Sequence, residues 1–254
     1  MNYAGIIDLN SDMGESPEAL ADGRDAELMR HISSANIACG GHAGDAETMR
    51  ETLKLAKSFM VAAGAHPSYP DRENFGRTEM KMEAAALESA LLGQMRRFVE
   101  IAHELGIRVS HVKPHGALYH AMGRRRETAD VVARVVRAVG PELVVVAQAG
   151  SPALEWFRES GLAAAGEAFA DRAYEADGSL RDRKLPGALL QPELAVVQAL
   201  EIVTRGRVRT FGGGTLAVKA ETLCIHSDTP GAAEIAARIR EALDRSGIQV
   251  RPLI

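Results

Sequence analysis

Short apolar segments alternate with longer amphipathic segments along the whole chain. The apolar segments have the length of buried strands, and we predict strands over 6–10, 34–38, 61–66, 107–113, 143–147, 162–169 and 248–250. The segments between them carry helix-start and helix-end signals, and we predict helices over 45–59, 82–105, 128–139, 151–161, 192–204 and 229–246. Strands that alternate with helices in this way predict a mostly parallel sheet covered by helices.

The number of repeating units decides between two α/β architectures. The pattern contains about seven β/α units, which favours a closed or nearly closed barrel over a doubly wound sheet. The G-x-G-x-x-G motif of dinucleotide-binding sheets is absent after the first strand. With no linker rich in Pro, Gly or Ser, we predict a single (β/α)-barrel domain over residues 1–254.

Composition narrows the classes of function. The chain has 254 residues, 46% of them hydrophobic, and a formal net charge of −4, so a nucleic-acid partner is not expected. No apolar run approaches the roughly 20 residues that a membrane span needs, and the first ten residues lack the pattern of a secretory signal. Two distant cysteines do not form a disulfide framework, which is typical of a cytoplasmic protein.

Polar residues recur at the C-terminal ends of the predicted strands. Asp8, Asn10 and Asp12 are spaced by two and therefore point to one side of the first strand. Other strand ends add His66, His111, Lys113, His115, Glu167, Asp171, His226 and Asp228. Because barrel enzymes assemble their active sites at this end of the strands, we predict one shared site for acid–base chemistry on a polar substrate.

Two loops allow more than one interpretation. The glycine-rich run from Phe211 to Thr215 could cradle a phosphate, but a hairpin turn explains it as well, and we favour the turn. Cys39 could be a nucleophile because it lies in a loop beside His42, although a small buried cysteine is commoner.

Six stretches resemble one known family in order and across nearly the full length. They are DLNSDMGES from Asp8, SANIACGGHAGD from Ser34, GAHPSYPDRENFGR from Gly64, HVKPHGALY from His111, EAFADRAY from Glu167 and CIHSD from Cys224. The chain resembles the LamB/YcsF family, which provides the A component of bacterial 5-oxoprolinase. The resemblance implies a seven-stranded (β/α) barrel of the glycoside hydrolase/deacetylase-like type.

The resemblance also implies a reaction and partners. The reaction is the ATP-coupled hydrolysis of 5-oxo-L-proline to L-glutamate, carried out together with two other subunits, B and C. No P-loop motif G-x-x-x-x-G-K-[ST] is present. We therefore expect ATP to use an unorthodox pocket in this chain or to bind a partner subunit.

The matching stretches contain the expected site residues. We expect catalytic roles for Asp12, His42, His66, Lys113 and His115, with Asp12 and His42 in acid–base chemistry and Lys113 and His115 on a substrate carboxylate or phosphate. We expect substrate contacts or orienting roles for Asp8, Asn10, Glu15, Asn36, Asp45, Tyr119, Glu167, Asp171, Arg172 and His226.

Two positions depart from the family pattern. Ser11 stands where the family usually has Cys, and it should point away from the face formed by Asp8, Asn10 and Asp12. Gly41 stands where the family usually has Phe. We expect its lack of a side chain to remove an aromatic wall beside His42.

Two other functions fit the same residues. Asp and His side chains that converge on a barrel mouth could hold a divalent ion, as in a metal-dependent deacetylase-like hydrolase. A divalent ion is thus compatible with these residues, but we do not predict one. Alternatively, the chain is a non-catalytic subunit that binds a metabolite while its partners carry out the chemistry.

Overall fold

The computed structural model describes residues 5–253, so both ends of the predicted domain, residues 1–4 and 254, lie outside it. The strands of the described part are β1 (Ile6–Met13), β2 (Ser34–Ala38), β3 (Ala62–His66), β4 (Val109–Val112), β5 (Val144–Gln148), β6 (Ala164–Phe169), β7 (Arg207–Arg209), β8 (Thr215–Ala217), β9 (Thr222–Cys224) and β10 (Gln249–Val250). Its helices are α1 (Pro17–Ala21), α2 (Arg24–Met29), α3 (Ala46–Ser58), α4 (Ala84–Glu104), α5 (Gly116–Arg124), α6 (Arg126–Val139), α7 (Ala153–Glu159), α8 (Pro192–Arg205) and α9 (Ala232–Arg245).

Seven parallel strands close into a barrel, which confirms the predicted fold class. The order runs from β1 through β2, β3, β4, β5 and β6 to β9, and β9 pairs in turn with β1. Asn10 of β1 is opposite Ser34 on one neighbour and Cys224 on the other. This closure brings the C-terminal ends of all seven strands to one rim.

The strand that closes the barrel was predicted only through the polar residues expected at its end, His226 and Asp228, and had no predicted bounds. β9 is only three residues long, too short to show a periodic pattern, but all three of its residues are buried. The predicted terminal strand is real, yet β10 lies outside the closed ring and pairs only with the start of β1. The predicted barrel therefore has the correct number of strands with one of them misassigned.

Helices surround the barrel and seal it with apolar faces. On α6 the buried positions include Val131, Val132, Val135 and Val136, which recur with the helical period. Pro192 begins α8, and Gly206 ends it in a left-handed conformation that favours glycine. Among the described helices, none is long and apolar enough to cross a membrane.

The glycine-rich run forms the turn of a hairpin, as we favoured. β7 and β8 pair antiparallel, with Val208 opposite Leu216. Within the turn, the backbone N–H of Gly213 donates to the carbonyl of Thr210 at 2.9 Å, and the N–H of Thr210 donates to the carbonyl of Gly214 at 3.0 Å. The run is thus part of a local antiparallel pair, away from the barrel ring.

Candidate active site

A cavity of about 660 Å³ opens at the C-terminal rim of the barrel. The predicted site residues that line it are Asp12, Glu15, His66, Lys113, His115, Tyr119, Arg172 and His226. Those that are buried outside its lining are Asp8, Asn10, Asn36, His42, Glu167 and Asp171. The structure therefore brings side chains from several strand ends to one side of the barrel, as their spacing predicts.

Below the cavity, the barrel is filled by hydrogen-bonded side chains that we call the inner polar layer. Its members are Asp8, Asn10, Asn36, His111, Lys113, Glu167 and Thr222. Asp8 lies deepest and accepts hydrogen bonds from the hydroxyls of Ser33, Ser34 and Thr222 at 2.6–2.7 Å. Burial, only partly offset by these bonds, raises the pKa of Asp8. Asp8 thus contacts barrel strands, and no part of it lines the cavity.

Lys113 is held between two carboxylates. Its Nζ lies 2.9 Å from Oδ1 of Asp12 and 2.8 Å from Oε1 of Glu167, and it also donates to Cys224 Sγ at 3.2 Å. Burial opposes the charge on Lys113, but Asp12 and Glu167 outweigh it and raise the pKa of the ammonium well above its usual range. The ammonium expected to bind a substrate anion is therefore already used to hold Asp12 and Glu167.

The same neighbours keep Asp12 ionised. Burial would raise the pKa of Asp12, but His66 and Lys113 hold it well below the usual range. Asn36 adds a hydrogen bond from Nδ2 to Asp12 Oδ1 at 2.8 Å. The second carboxylate oxygen, Oδ2, lies 3.4 Å from His66 Nε2. Asp12 is thus a fixed carboxylate at the junction of the inner polar layer and the cavity.

His111 belongs to the inner polar layer, and its ring occupies the space beside a glycine on the neighbouring strand. Its Nε2 lies 2.8 Å from Oδ1 of Asn36, whose amide nitrogen donates to Asn10 and Asp12. Burial and the charge of Lys113 lower the pKa of His111 to about 3, so its ring is neutral. A Cβ at Gly64 would lie 2.2 Å from this ring, and only glycine leaves room for it.

Nearer the rim, three imidazoles surround one carboxylate, and we call Glu15, His42, His66 and His115 the histidine cluster. Glu15 Oε1 lies 2.8 Å from His42 Nε2 and 3.2 Å from His115 Nδ1. Burial opposes the charge on Glu15, but His115 and His42 lower the pKa of its carboxyl. Burial lowers the pKa of His42 to about 4, whereas the charges of Asp12 and Glu15 outweigh burial at His66 and raise its pKa.

On the other side of the cavity, a buried carboxylate orients a histidine. Asp171 Oδ1 lies 3.0 Å from His226 Nδ1, and its Oδ2 accepts from the hydroxyl of Thr229 at 2.6 Å. A donor atom of His226 lies within 4.8 Å of one from Asp12. Because Nδ1 is bound to Asp171, the ring leaves Nε2 available at the cavity surface.

Among the described residues, buried polar atoms without hydrogen-bond partners also occur in Arg172, Tyr119 and Glu167. Arg172 lines the cavity, and its Nε has no hydrogen-bond partner among residues 5–253. Tyr119 Oη and Glu167 Oε2 are unpaired in the same way. Burial and the negative charge of Glu167 raise the pKa of Tyr119 well above its usual range. An unpaired buried group of this kind costs stability unless a ligand or water binds it.

Asp45 was predicted to contact substrate, but the structure places it away from the cavity. It is exposed and lies outside the cavity lining. Its Oδ1 accepts from the backbone N–H of Thr48 at 2.8 Å and so caps the N-terminus of α3. The substrate contact expected for Asp45 is therefore corrected to a helix cap, a role worth about 1 kcal/mol.

The two departures from the family pattern have different outcomes. Ser11 points away from the inner polar layer, as expected, and its hydroxyl donates to the carbonyl of Ile225 at 2.6 Å. At Gly41 no empty space replaces an aromatic wall, because a Cβ there would lie 2.5 Å from side-chain atoms of both Gln94 and Ser68. Cys39 is buried, and burial raises the pKa of its thiol to about 12.

Several cationic residues at the cavity mouth were missed. Arg77, Arg181, Arg183 and Lys184 line it, and Asp228 pairs with Arg77 at 2.7 Å and Arg183 at 2.6 Å. Three of these residues lie in the segment between β6 and α8, which has no periodic pattern to place it. The high density of basic residues from 181 to 184 was the only available signal.

Comparisons with known proteins agree on one family. The model of the LamB/YcsF family matches residues 7–254. A protein of Chloroflexus aggregans, named as the A component of 5-oxoprolinase, is 48% identical over 246 residues, which cover 96% of this chain and 98% of that one. Its counterpart in Paracidovorax citrulli is 44% identical over 248 residues, with coverage of 97% and 98%.

A solved structure extends the similarity to three dimensions. The lactam utilization protein from Thermus thermophilus has a TM-score of 0.89 and 43% sequence identity to this chain. The alignment covers 96% of this chain and 98% of that protein. On the full-length family match and these relatives, the chain belongs to the LamB/YcsF family.

Proposed function

We propose that this chain is the A component of an ATP-dependent 5-oxoprolinase, which opens 5-oxo-L-proline to L-glutamate. Relatives that are 44–48% identical over nearly the full length carry the name of that component. The observation that carries the proposal is the convergence of Asp12, Arg172 and the Asp171–His226 pair on one cavity. These groups supply what lactam opening needs: a base, an anion anchor and a proton donor.

Arg172 is the proposed anchor for the substrate carboxylate. Its guanidinium is buried, lines the cavity and forms no salt bridge with a carboxylate within residues 5–253. Its one side-chain hydrogen bond is to the carbonyl of Arg181 at 2.6 Å. Arginine binds carboxylates through paired N–H donors. This assignment replaces Lys113, whose ammonium already contacts Asp12 and Glu167.

Asp12 is the proposed base and His226 the proposed acid. The ionised Asp12 accepts a proton from a water molecule as the water oxygen adds to the ring carbon. His226, held by Asp171 and acting in its imidazolium form, gives its Nε2 proton to the ring nitrogen as the carbon–nitrogen bond breaks. A carboxylate behind a histidine fixes both the tautomer and the direction of the ring. Asp171 is thus a positioning residue for His226.

ATP makes the lactam carbon a better electrophile. Transfer of the γ-phosphoryl group of ATP to the amide oxygen releases ADP and gives an activated ring. Water then adds at the ring carbon, the carbon–nitrogen bond breaks, and hydrolysis of the remaining acyl phosphate yields glutamate and phosphate. Because the chain has no P-loop motif, we infer that phosphorylation depends on the two partner subunits, B and C.

The test is reconstitution with the partner subunits encoded in the same genome. We expect ATP-dependent release of glutamate from 5-oxoproline only when all three chains are present. Arg172→Gln should raise KM for 5-oxoproline by at least about tenfold, the scale of one lost charge-assisted contact. Turnover by the isolated chain, or no turnover by the complete mixture, would contradict the proposal.

A further inference from the structure

The histidine cluster brings four potential metal-donor atoms into one small volume. One carboxylate oxygen of Glu15 and one ring nitrogen from each of His42, His66 and His115 all lie within 4.8 Å of one another. The measured separations include 2.8 Å from Glu15 to His42, 2.9 Å between His66 and His115, and 3.7 Å from Glu15 to His66. Donors about 2.0–2.1 Å from a tetrahedral ion are about 3.3–3.4 Å apart, so the spacing fits with small adjustments.

Backbone carbonyls decide which nitrogen lone pairs face the centre. His66 Nδ1 lies 2.5 Å from the carbonyl oxygen of Lys113, and His115 Nε2 lies 3.0 Å from that of Phe75. A carbonyl only accepts, so each of these nitrogens carries the hydrogen. In a neutral ring the other nitrogen then carries a lone pair and no hydrogen. His66 Nε2 and His115 Nδ1 therefore present lone pairs to each other, 2.9 Å apart, beside the Glu15 carboxylate.

This arrangement requires a positive charge at its centre, either a proton shared between His66 Nε2 and His115 Nδ1 or a bound metal ion. Three electron-pair donors facing one another repel unless a cation lies between them. In metal-bound histidines, the ring nitrogen that does not bind the metal commonly donates its hydrogen to a backbone carbonyl or a carboxylate. In the inner polar layer, by contrast, the nitrogens of Asn36, His111 and Lys113 each face an acceptor oxygen.

The third imidazole can present a lone pair once its hydrogen moves to the other ring nitrogen. His42 Nδ1 is buried and has no hydrogen-bond partner in the described part of the chain. Glu15 Oε1 only accepts and lies 2.8 Å from His42 Nε2, so the ring hydrogen lies on Nε2 when no ion is bound. Because Nδ1 is unpaired, the hydrogen can move to Nδ1 when Nε2 binds an ion. The ring is held in place by stacking on His115, with centroids 3.7 Å apart and planes 1° from parallel.

The loop behind the cluster is shaped to the two stacked rings. Gly76 has φ +63°, and a Cβ there would lie 2.9 Å from His42 Cβ and 3.1 Å from His115 Cδ2. Phe75, the residue before it, supplies the carbonyl that orients His115. The glycine thus lets this loop approach closely enough to fix the cluster.

We propose that Glu15, His42, His66 and His115 bind one divalent metal ion of the zinc type. A compact cluster of three imidazoles and one carboxylate suits Zn²⁺ and Co²⁺ better than Mg²⁺ or Ca²⁺, which prefer oxygen ligands. Binding requires the stacked rings of His42 and His115 to tilt from parallel so that both lone pairs point at the ion. The ion would lie next to Asp12, whose Oδ2 is 3.4 Å from His66 Nε2. The site stands on its own geometry and does not depend on which reaction the cavity catalyses.

The experiment uses the full chain alone, without 5-oxoproline, ATP or partners. The protein is stripped with a chelator and titrated with ZnCl₂ by calorimetry and with CoCl₂ by visible absorption. We expect one equivalent to bind, with the intense d–d bands of tetrahedral cobalt. Glu15→Gln and His115→Gln should each weaken binding by at least about 100-fold, since even changes to outer contacts cost about 10–100-fold.

His103→Gln, an exposed substitution of the same type on α4, is the matched control and should bind like the wild type. Zinc-edge X-ray absorption on the wild-type protein gives an independent result if a variant fails to fold. We expect only nitrogen and oxygen neighbours. A sulfur neighbour would place the ion at Asp12, Cys224 and His226 instead and would overturn the proposal, as would the absence of stoichiometric binding.

Discussion

The inner polar layer and the histidine cluster both combine buried carboxylates with histidine, but their hydrogen bonding differs. In the inner layer, the donors of Lys113 and Asn36 contact the acceptors of Asp12, Asn10 and Glu167. In the histidine cluster, lone pairs of His66 and His115 face each other and Glu15. Matched groups stabilise a fold, whereas facing lone pairs leave a site that an added cation completes.

Residues that mainly support stability and residues that mainly support function thus lie within a few ångströms of each other. Substitutions in the inner polar layer should mainly lower the free energy of unfolding. Substitutions at the cavity wall should mainly lower turnover or binding, since functional groups are often not optimised for folding. Asp12 belongs to both regions, because Oδ1 contacts Lys113 and Oδ2 lies near His66.

The largest effect is expected for Lys113→Met. It removes the buried charge between Asp12 and Glu167 and leaves two carboxylates without their partner. We expect the free energy of unfolding to fall by about 3–5 kcal/mol, measured by urea denaturation. Lys184→Met, at the exposed mouth, is the matched control and should change it by less than about 0.5 kcal/mol. If Lys113→Met lowers the free energy of unfolding by less than about 1 kcal/mol, the inner polar layer does not have the structural role described here.

Asp171→Asn should affect turnover more than stability. Asparagine keeps the shape but no longer favours the tautomer that leaves Nε2 of His226 directed at the cavity. We expect glutamate release by the complete complex to fall by about 100-fold, equivalent to about 2.7 kcal/mol in the barrier. Saturation with 5-oxoproline should not restore it, since the defect is in kcat. An unchanged kcat would show that His226 has no role in proton transfer.

A smaller effect, dependent on pH, is expected at Asp25. Its Oδ2 accepts from the N–H of Gly14, next to Glu15, and burial raises the pKa of its carboxyl from 3.8 to about 6. The folded state binds the proton more tightly, so this stability is present below about pH 4 and lost as the pH rises through about 6. Asp25→Asn keeps an acceptor without the charge.

We therefore expect Asp25→Asn to raise the free energy of unfolding at pH 7 by about 1–3 kcal/mol and to have no advantage at pH 4. Urea denaturation at a series of pH values measures the difference, with Asp244→Asn on α9 as an exposed control. An advantage for Asp25→Asn that is independent of pH would show that the buried charge is not its cause.

The smallest effect is expected for Cys39→Ala. The buried thiol contacts the carbonyl of Ile37 and the N–H of His66, each at 3.2 Å, and its raised pKa makes it a poor nucleophile. Turnover should stay within about threefold of the wild type. The native protein should also resist thiol reagents that react after unfolding. A loss of turnover comparable to that of Asp171→Asn would restore a nucleophilic role for Cys39.

Period-two spacing was enough to predict which end of the barrel carries the polar residues. Asp8, Asn10 and Asp12 do share a face of β1, and Lys113 does meet Asp12 across the barrel. Spacing could not show that Lys113 is already paired, because its partners come from β1 and β6, which are distant in sequence. A sequence pattern gives the direction of a side chain but not the partners it finds.

Short and irregular elements also limited what could be predicted from the sequence. β9 and α5 lie within or beside functional motifs, whose His, Gly and Pro residues hide the usual apolar periods. Arg181 and Arg183 lie in a segment without regular structure, so nothing in their spacing placed them at the cavity. The hydrogen bonds that orient His66 and His115 depend on carbonyls of loops, which no side-chain pattern reveals.

The central claim is that Asp12 acts in lactam hydrolysis at this cavity. The most direct measurement is glutamate release from 5-oxoproline and ATP by the complete complex containing Asp12→Asn, compared with the wild type. Asparagine preserves the side-chain shape, and Lys113 keeps its contact with Glu167. We predict assembly of the complex and a loss of at least about 100-fold in turnover. Glutamate release at the wild-type rate would contradict the account and would favour a chain that only binds a metabolite for its partners.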